Sequence, residues 1–152
     1  MSYATVQPIW NAVQSRFYKT AQNLAVSDLS LKQGTASIGY MLQHNAEVEY
    51  MFAEWFFGRK MPEGLEMQTN AGPIGSDADY TDHERLLKML SDSNEHLQAA
   101  MRELPEEAWH VPVGSPMGAP SSPLEAVGRL LYHTGIHAGQ ISLILKSAKA
   151  KE

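Results

Sequence analysis

Apolar residues recur at helical spacing in four separated stretches, and strict alternation of apolar and polar positions never persists long enough to predict a strand. The first stretch carries Val6, Trp10, Val13, Phe17, Ala21 and Leu24 and stops near Ser27-Asp28. The second opens after Gly34-Thr35 and runs through Ile38, Met41, Leu42, Val48, Met51, Phe52 and Trp55. It ends at Gly58, a residue suited to the left-handed cap that closes many helices. The third is expected to start at Thr81-Asp82-His83-Glu84, where Thr81 and Glu84 have the spacing of a reciprocal capping box. Its stripe of Leu86, Leu90, Leu97, Met101 and Leu104 stops at Pro105. The fourth opens with Ser122-Pro123-Leu124-Glu125, which joins a Ser cap, a Pro preset for the first helical turn and a capping-box Glu. Its stripe is Val127, Leu130, His133, His137, Ile141 and Ile144.

Between the second and third stretches lie about twenty residues rich in Gly, Pro and Asp, from Arg59 to Tyr80, and a second connector of about sixteen covers Pro105 to Pro120. Connectors of this length in a small domain serve as crossovers or as functional rims. The pattern predicts an all-α protein: a four-helix bundle with a long connection between helices 2 and 3, one domain over residues 1–152.

Composition narrows the chemistry. With 152 residues, 43% of them hydrophobic, the chain can bury a core without disulfides or a structural metal, so any metal it holds serves chemistry or regulation. Zero cysteines exclude thiolate metal sites and cysteine nucleophiles, so any thiol must come from outside. The 12 Lys and Arg are outnumbered by 17 Asp and Glu, giving a formal charge of −5 with no basic block beyond Arg59-Lys60 and the alternating lysines of Lys146 to Lys151. Nucleic acid is therefore not an expected partner, since phosphate binding needs a concentrated positive field. Apolar runs such as Trp55-Phe56-Phe57 are far shorter than a membrane span, and Met1 to Gln14 has no signal-peptide pattern, so a cytoplasmic address is expected.

Candidate chemistry sits in the fourth stripe. His133 and His137 are four positions apart and stack on one helix face, where apolar residues would have packed at lower cost. His44 lies on the face of Met41, Val48 and Met51 in the second helix, so it too points inward. Three inward His from two helices match the ligand set of an open catalytic metal site. A lone His pair would be weak evidence, and hydrogen bonding among the His or to buried water is the alternative. Glu47, three beyond His44, could accept the other ring N–H of a ligand His, or could lie on an exposed face. Gln140 could bond a ligand or substrate, or be a surface amide. Trp10, Met51, Trp55 and Trp109 could line a substrate pocket, or simply fill the core.

The block Ile38-Gly39-Tyr40-Met41-Leu42-Gln43-His44-Asn45-Ala46-Glu47, with Leu130-Leu131-Tyr132-His133-Thr134-Gly135-Ile136-His137-Ala138-Gly139-Gln140 far downstream, resembles the DinB-like (DinB/YfiT) superfamily of metal-binding four-helix bundles. The resemblance puts the family's metal-binding His on His44, His133 and His137. It implies a divalent metal, zinc or nickel foremost, and transfer or isomerisation reactions that use a low-molecular-weight thiol such as glutathione, mycothiol or bacillithiol. One departure stands out. Many relatives have Arg where this chain has Ala138, which removes a cation that could hold an anionic substrate or cofactor.

Three classes of function fit, one of them a plain helical interaction protein whose His bond each other or trapped water. In another, the protein is a metal-dependent thiol S-transferase acting on a small electrophilic substrate, with metal-dependent hydrolysis as the neighbouring reaction. In the third, it is a non-catalytic metal-binding stress-response module. Gly128, Gly135 and Gly139 form a smooth stripe opposite the two His, which favours close approach of another helix and predicts a homodimer.

Overall fold

The computed structural model describes residues 1–73 and 80–151. Its four long helices are α1 (Ser2–Gln22), α2 (Ile38–Phe57), α3 (His83–Glu103) and α4 (Pro123–Ala150). Local chemistry sets their ends. Ser37 Oγ accepts from the Tyr40 N–H at the start of α2, and Gly58 closes it with φ 71°. At α4 the expected box forms: Ser122 Oγ accepts from the Glu125 N–H at 3.1 Å, and the Ser122 N–H donates to the Glu125 carboxylate at 2.7 Å. The start of α3 differs from expectation. Its cap is Asp82, whose carboxylate accepts from the Arg85 N–H at 3.1 Å. A charged oxygen one residue beyond Thr81 meets the helix's positive end more favourably than a hydroxyl.

The second connector also holds a small antiparallel hairpin, β1 (Val113–Ser115) with β2 (Gly118–Ser121). Strands this short carry too few positions for alternation to register. Among the described residues no helix is long and apolar enough to cross a membrane.

Side-chain pairs reveal the helix directions. Gln43 meets Arg85, Glu49 meets Ser93, and Arg59 just past α2 meets Glu103, so α2 and α3 run parallel. Trp10 bonds Asn94 and His83 bonds the Ala21 carbonyl, so α1 opposes α3. Gln33 ahead of α2 bonds Ser147 late in α4, whereas His44 meets His133 and His137, so α4 opposes α2. Parallel neighbours explain the long connector. Residues after α2 must travel back along its whole length, roughly 30 Å for a helix of this size, before α3 can begin. Gly39 permits the return to dock, because a Cβ there would collide with the Tyr80 carbonyl oxygen.

Two apolar clusters fill the bundle, one around Trp10, Phe52, Phe56, Leu97, Trp109 and Leu130, the other around Phe17, Ile38, Leu42, Leu86, Leu90 and Ile141. Between them along each helix lies a buried polar position: Gln14 on α1, Asn45 and Glu49 on α2, Ser93 on α3 and Thr134 on α4. The bundle is thus crossed by a polar layer. Within it Gln14 Nε2, Asn45 Oδ1 and Glu49 Oε2 have no partner among the described residues. Burial pushes the Glu49 carboxyl up to about 8, only partly offset by the Ser93 hydroxyl that donates to it at 3.1 Å.

This carboxyl holds its proton more tightly in the folded chain than in the unfolded one, so it makes stability fall as pH rises from about 4.5 through about 8. Glu49→Gln keeps the shape and removes the charge. Urea unfolding of the variant should lose most of this slope and show a gain of roughly a few kcal/mol at the alkaline end. Parallel pH profiles for parent and variant would contradict a buried, proton-bearing Glu49.

Candidate metal centre

From Ile38 to Ala53, α2 is buried at every position except His44 and Met51, which are partly open. His44 faces α4, where His133 and His137 occupy successive turns. The His44 ring centroid lies 5.0 Å from that of His133 and 5.5 Å from that of His137. One ligating nitrogen from each ring lies within 4.8 Å of the other two, the one group of this kind among the described residues. Nε2 of His133 and Nε2 of His137 are 3.2 Å apart. Two nitrogens held by one tetrahedral ion at ~2.1 Å would be about 3.4 Å apart, so their spacing fits a shared divalent cation.

Neighbouring groups fix which nitrogen faces the centre. Glu47, one turn after His44, is fully buried, which excludes the exposed-face reading. Its Oε1 accepts from the Gln68 N–H at 2.8 Å, the Thr69 N–H at 3.0 Å and the Thr69 hydroxyl at 3.0 Å. Gln43 Nε2 donates to Oε2 at 2.7 Å, while its carbonyl oxygen accepts from Arg85 Nη1 at 2.9 Å. Because the Thr69 proton goes to Glu47, the Thr69 oxygen accepts from His44 Nδ1–H at 3.0 Å. The carboxylate therefore reaches His44 through Thr69 rather than directly. His44 Nε2 is left with a lone pair. On the opposite wall His137 Nδ1–H donates to Gln140 Oε1 at 2.8 Å, freeing His137 Nε2 in the same way. Thr69 lies in a connector without a readable motif, so only Glu47 gave a sequence signal for this chain of bonds. Tyr40 adds a second tie, stacking on His44 and donating its hydroxyl to the Thr69 carbonyl at 3.2 Å.

All three imidazoles are held neutral. Burial lowers His44, and the neighbouring His137 lowers it further against the opposing pull of Glu47. Burial, then His137 and His44, bring His133 down to about 4. Burial likewise lowers His137, partly countered by its bond to Gln140. Three neutral nitrogen donors suit a late divalent ion.

Two clefts meet at the centre and share His44, Thr69 and Asn70. The cleft on the His137 side, about 740 Å³, mixes the polar side chains of Gln33, Thr35 and Gln140 with the apolar ones of Met41, Leu143 and Ile144. The cleft on the His133 side, about 560 Å³, is walled by Val48, Met51, Phe52 and Trp55. Trp55 and Met51 thus line a cavity. Trp10 and Trp109 do not: both are fully buried in the core, Trp10 with its Nε1–H on Asn94 at 2.7 Å. Trp10 projects from α1 into the apolar cluster that also holds Trp109 from the second connector. A third cleft, about 240 Å³ and lined by Asn11, Gln14 and Asn94, shares no residue with the triad. The remaining His stand apart. His83 begins α3, His96 packs on Tyr50, and His110 is exposed.

A family model described as the DinB superfamily matches residues 9–141. The chain belongs to the DinB superfamily. A solved DinB-like protein from Bacillus cereus ATCC 10987 has the same fold, with a TM-score of 0.72, 14% identity, 94% of this chain covered and 90% of that one. The mycothiol-dependent maleylpyruvate isomerase is also similar, with a TM-score of 0.68, 15% identity and 93% of this chain covered. This chain spans only 61% of that isomerase. No curated protein matches.

Imidazole nitrogen NMR on metal-free protein tests the site's electrostatics. His133 should take up its proton only near pH 4, and His44 and His137 should carry theirs on Nδ1 at neutral pH. Because the unfolded chain binds these protons more readily, the three imidazoles should contribute a loss of stability as pH drops below about 6.5, opposite in sign to the slope from Glu49 and isolated by comparison in the Glu49→Gln background. Protonation of His133 at its ordinary value would contradict the crowded, buried triad.

Proposed function

We propose that this DinB superfamily member is a metal-dependent enzyme that uses a low-molecular-weight thiol, of the glutathione, mycothiol or bacillithiol type, on a small electrophilic substrate. The observation that carries this reading is a three-nitrogen centre at the junction of two clefts in a chain without cysteine. The mycothiol dependence in the name of one structural neighbour supports it. A zinc or nickel ion held by His44, His133 and His137 would supply Lewis acidity, favouring ionisation of a bound thiol or water.

The chain's own groups divide the remaining work. Glu47, through Thr69, keeps the His44 proton on Nδ1, and Gln140 does the same for His137. Asn70, Gln33 and Thr35 offer hydrogen bonds to the polar groups of a thiol in the cleft on the His137 side. Val48, Phe52 and Trp55 exclude water around an electrophile in the other. Residues of different character on the two sides of one centre suit two unlike reactants better than a lone substrate and water. We further propose a cytoplasmic homodimer joined along α4. Gly128, Gly135 and Gly139 lie on its outer face, where an added Cβ would meet nothing within 4 Å.

Protein purified without a His tag should contain close to one divalent ion per chain. His137→Ala should lose it and His96→Ala should not. A thiol such as bacillithiol or glutathione should shift the visible spectrum of the cobalt-substituted protein by adding a sulfur ligand. No shift at millimolar thiol would end the transferase reading and leave hydrolysis or a non-catalytic metal module. Light scattering at micromolar concentration should give the mass of a dimer, and a monomer would remove the α4 interface.

A further inference from the structure

We propose that the apolar cleft on the His133 side is a binding site for small molecules that join an apolar body to an anionic group, with Arg129 receiving the anion. On α4, Arg129, His133 and His137 are spaced four and four, so they form a column on one helix face. The Arg129 Cα therefore sits roughly 6 Å along the helix from that of His133. Arg129 lines the same cleft as His133 and His44. Among the described residues it is the one charged side chain in that lining, and the opposite cleft has none.

Arg129 is also uncommitted. A guanidinium carries five N–H donors, and its one described hydrogen bond is from Nη1 to Ser121 Oγ at 3.1 Å. Among the described residues no carboxylate lies within ion-pair distance of it. An unpaired, half-buried cation in a protein of net charge −5 is unusual, since carboxylates are abundant on its surface. The Ser121 bond anchors Arg129 to β2 and leaves the rest of the fork free for a bidentate anion. Val48, Phe52 and Trp55 supply the apolar wall, and Met117, on the turn between β1 and β2, closes one side. A ligand whose anionic group rests on Arg129 presents atoms a few bonds away to the His133 edge of the triad. The inference rests on the proposed enzyme reading for what happens to the ligand, but not for its binding.

The test is calorimetry on metal-free protein with three probes of one shape: 4-phenylbutanoate, 4-phenylbutan-1-ol and 4-phenylbutylammonium. The acid should bind about tenfold or more tightly than the alcohol, and the ammonium more weakly than either. Arg129→Gln should bring the acid down to the alcohol's affinity and leave the alcohol unchanged. Ser121→Ala, which frees the guanidinium from the hairpin but keeps its charge, should retain the preference for the acid. Trp55→Ala should weaken acid and alcohol alike. Equal binding of acid and alcohol by the parent, a preference that survives Arg129→Gln, or no saturable binding of the acid overturns the proposal. Cobalt titration of the same variant reports separately on the metal reading. Cobalt binding equal to the parent's, beside a lost acid preference, locates the effect in the cleft, whereas a parent that binds no cobalt defeats the enzyme reading and leaves the anion result standing.

Discussion

A carboxylate with no exposure to solvent dictates much of this structure. Removing Glu47 from water costs several kcal/mol unless its lone pairs are filled, and they are filled mainly by the connector that follows α2. The backbone at Gln68 and Thr69 is thereby fastened to α2 at the level of His44. Since α2 and α3 run parallel, a returning segment is obligatory, and Glu47 decides where it lies. Tyr40 and the glycine at position 39 hold the same segment at two further points. Detached from Glu47, Thr69 would no longer accept the His44 proton, and the imidazole could turn its other nitrogen toward α4.

The site is stable for reasons that lie outside it. Crowding three neutral imidazoles, with two Nε2 atoms at 3.2 Å, offers little cohesion of its own. Large apolar clusters on both sides, anchored by Trp10, Trp109, Leu97 and Ile141, supply it instead. Even so, the polar layer through Gln14, Asn45, Glu49 and Ser93 interrupts the core near the same level. Stability is concentrated toward the two ends of the bundle. The middle is given over to polar groups.

The helices and the triad were legible because they repeat. A stripe such as Val127, Leu130, Ile141 and Ile144 marks a face by period alone, and His133 and His137 inherit their direction from it. The Ser122 cap was legible because its chemistry is local. Thr69 and Arg129 were not, because their roles depend on the return path of a connector and on a hairpin whose strands are only three and four residues long. The indoles show the same limit from the other side. Trp10 and Trp55 have equivalent helical spacing, yet one is sealed in the core and the other lines a cleft.

The central claim is that a buried carboxylate, acting through a connector hydroxyl, orients the imidazole of α2. Thr69→Val tests it most directly, because it removes the hydroxyl while keeping the size of the side chain and the two backbone bonds to Glu47. Competition titration with a zinc chelator should show affinity reduced by roughly 10- to 100-fold, with circular dichroism unchanged. Unchanged zinc affinity in a fully helical variant would contradict the account.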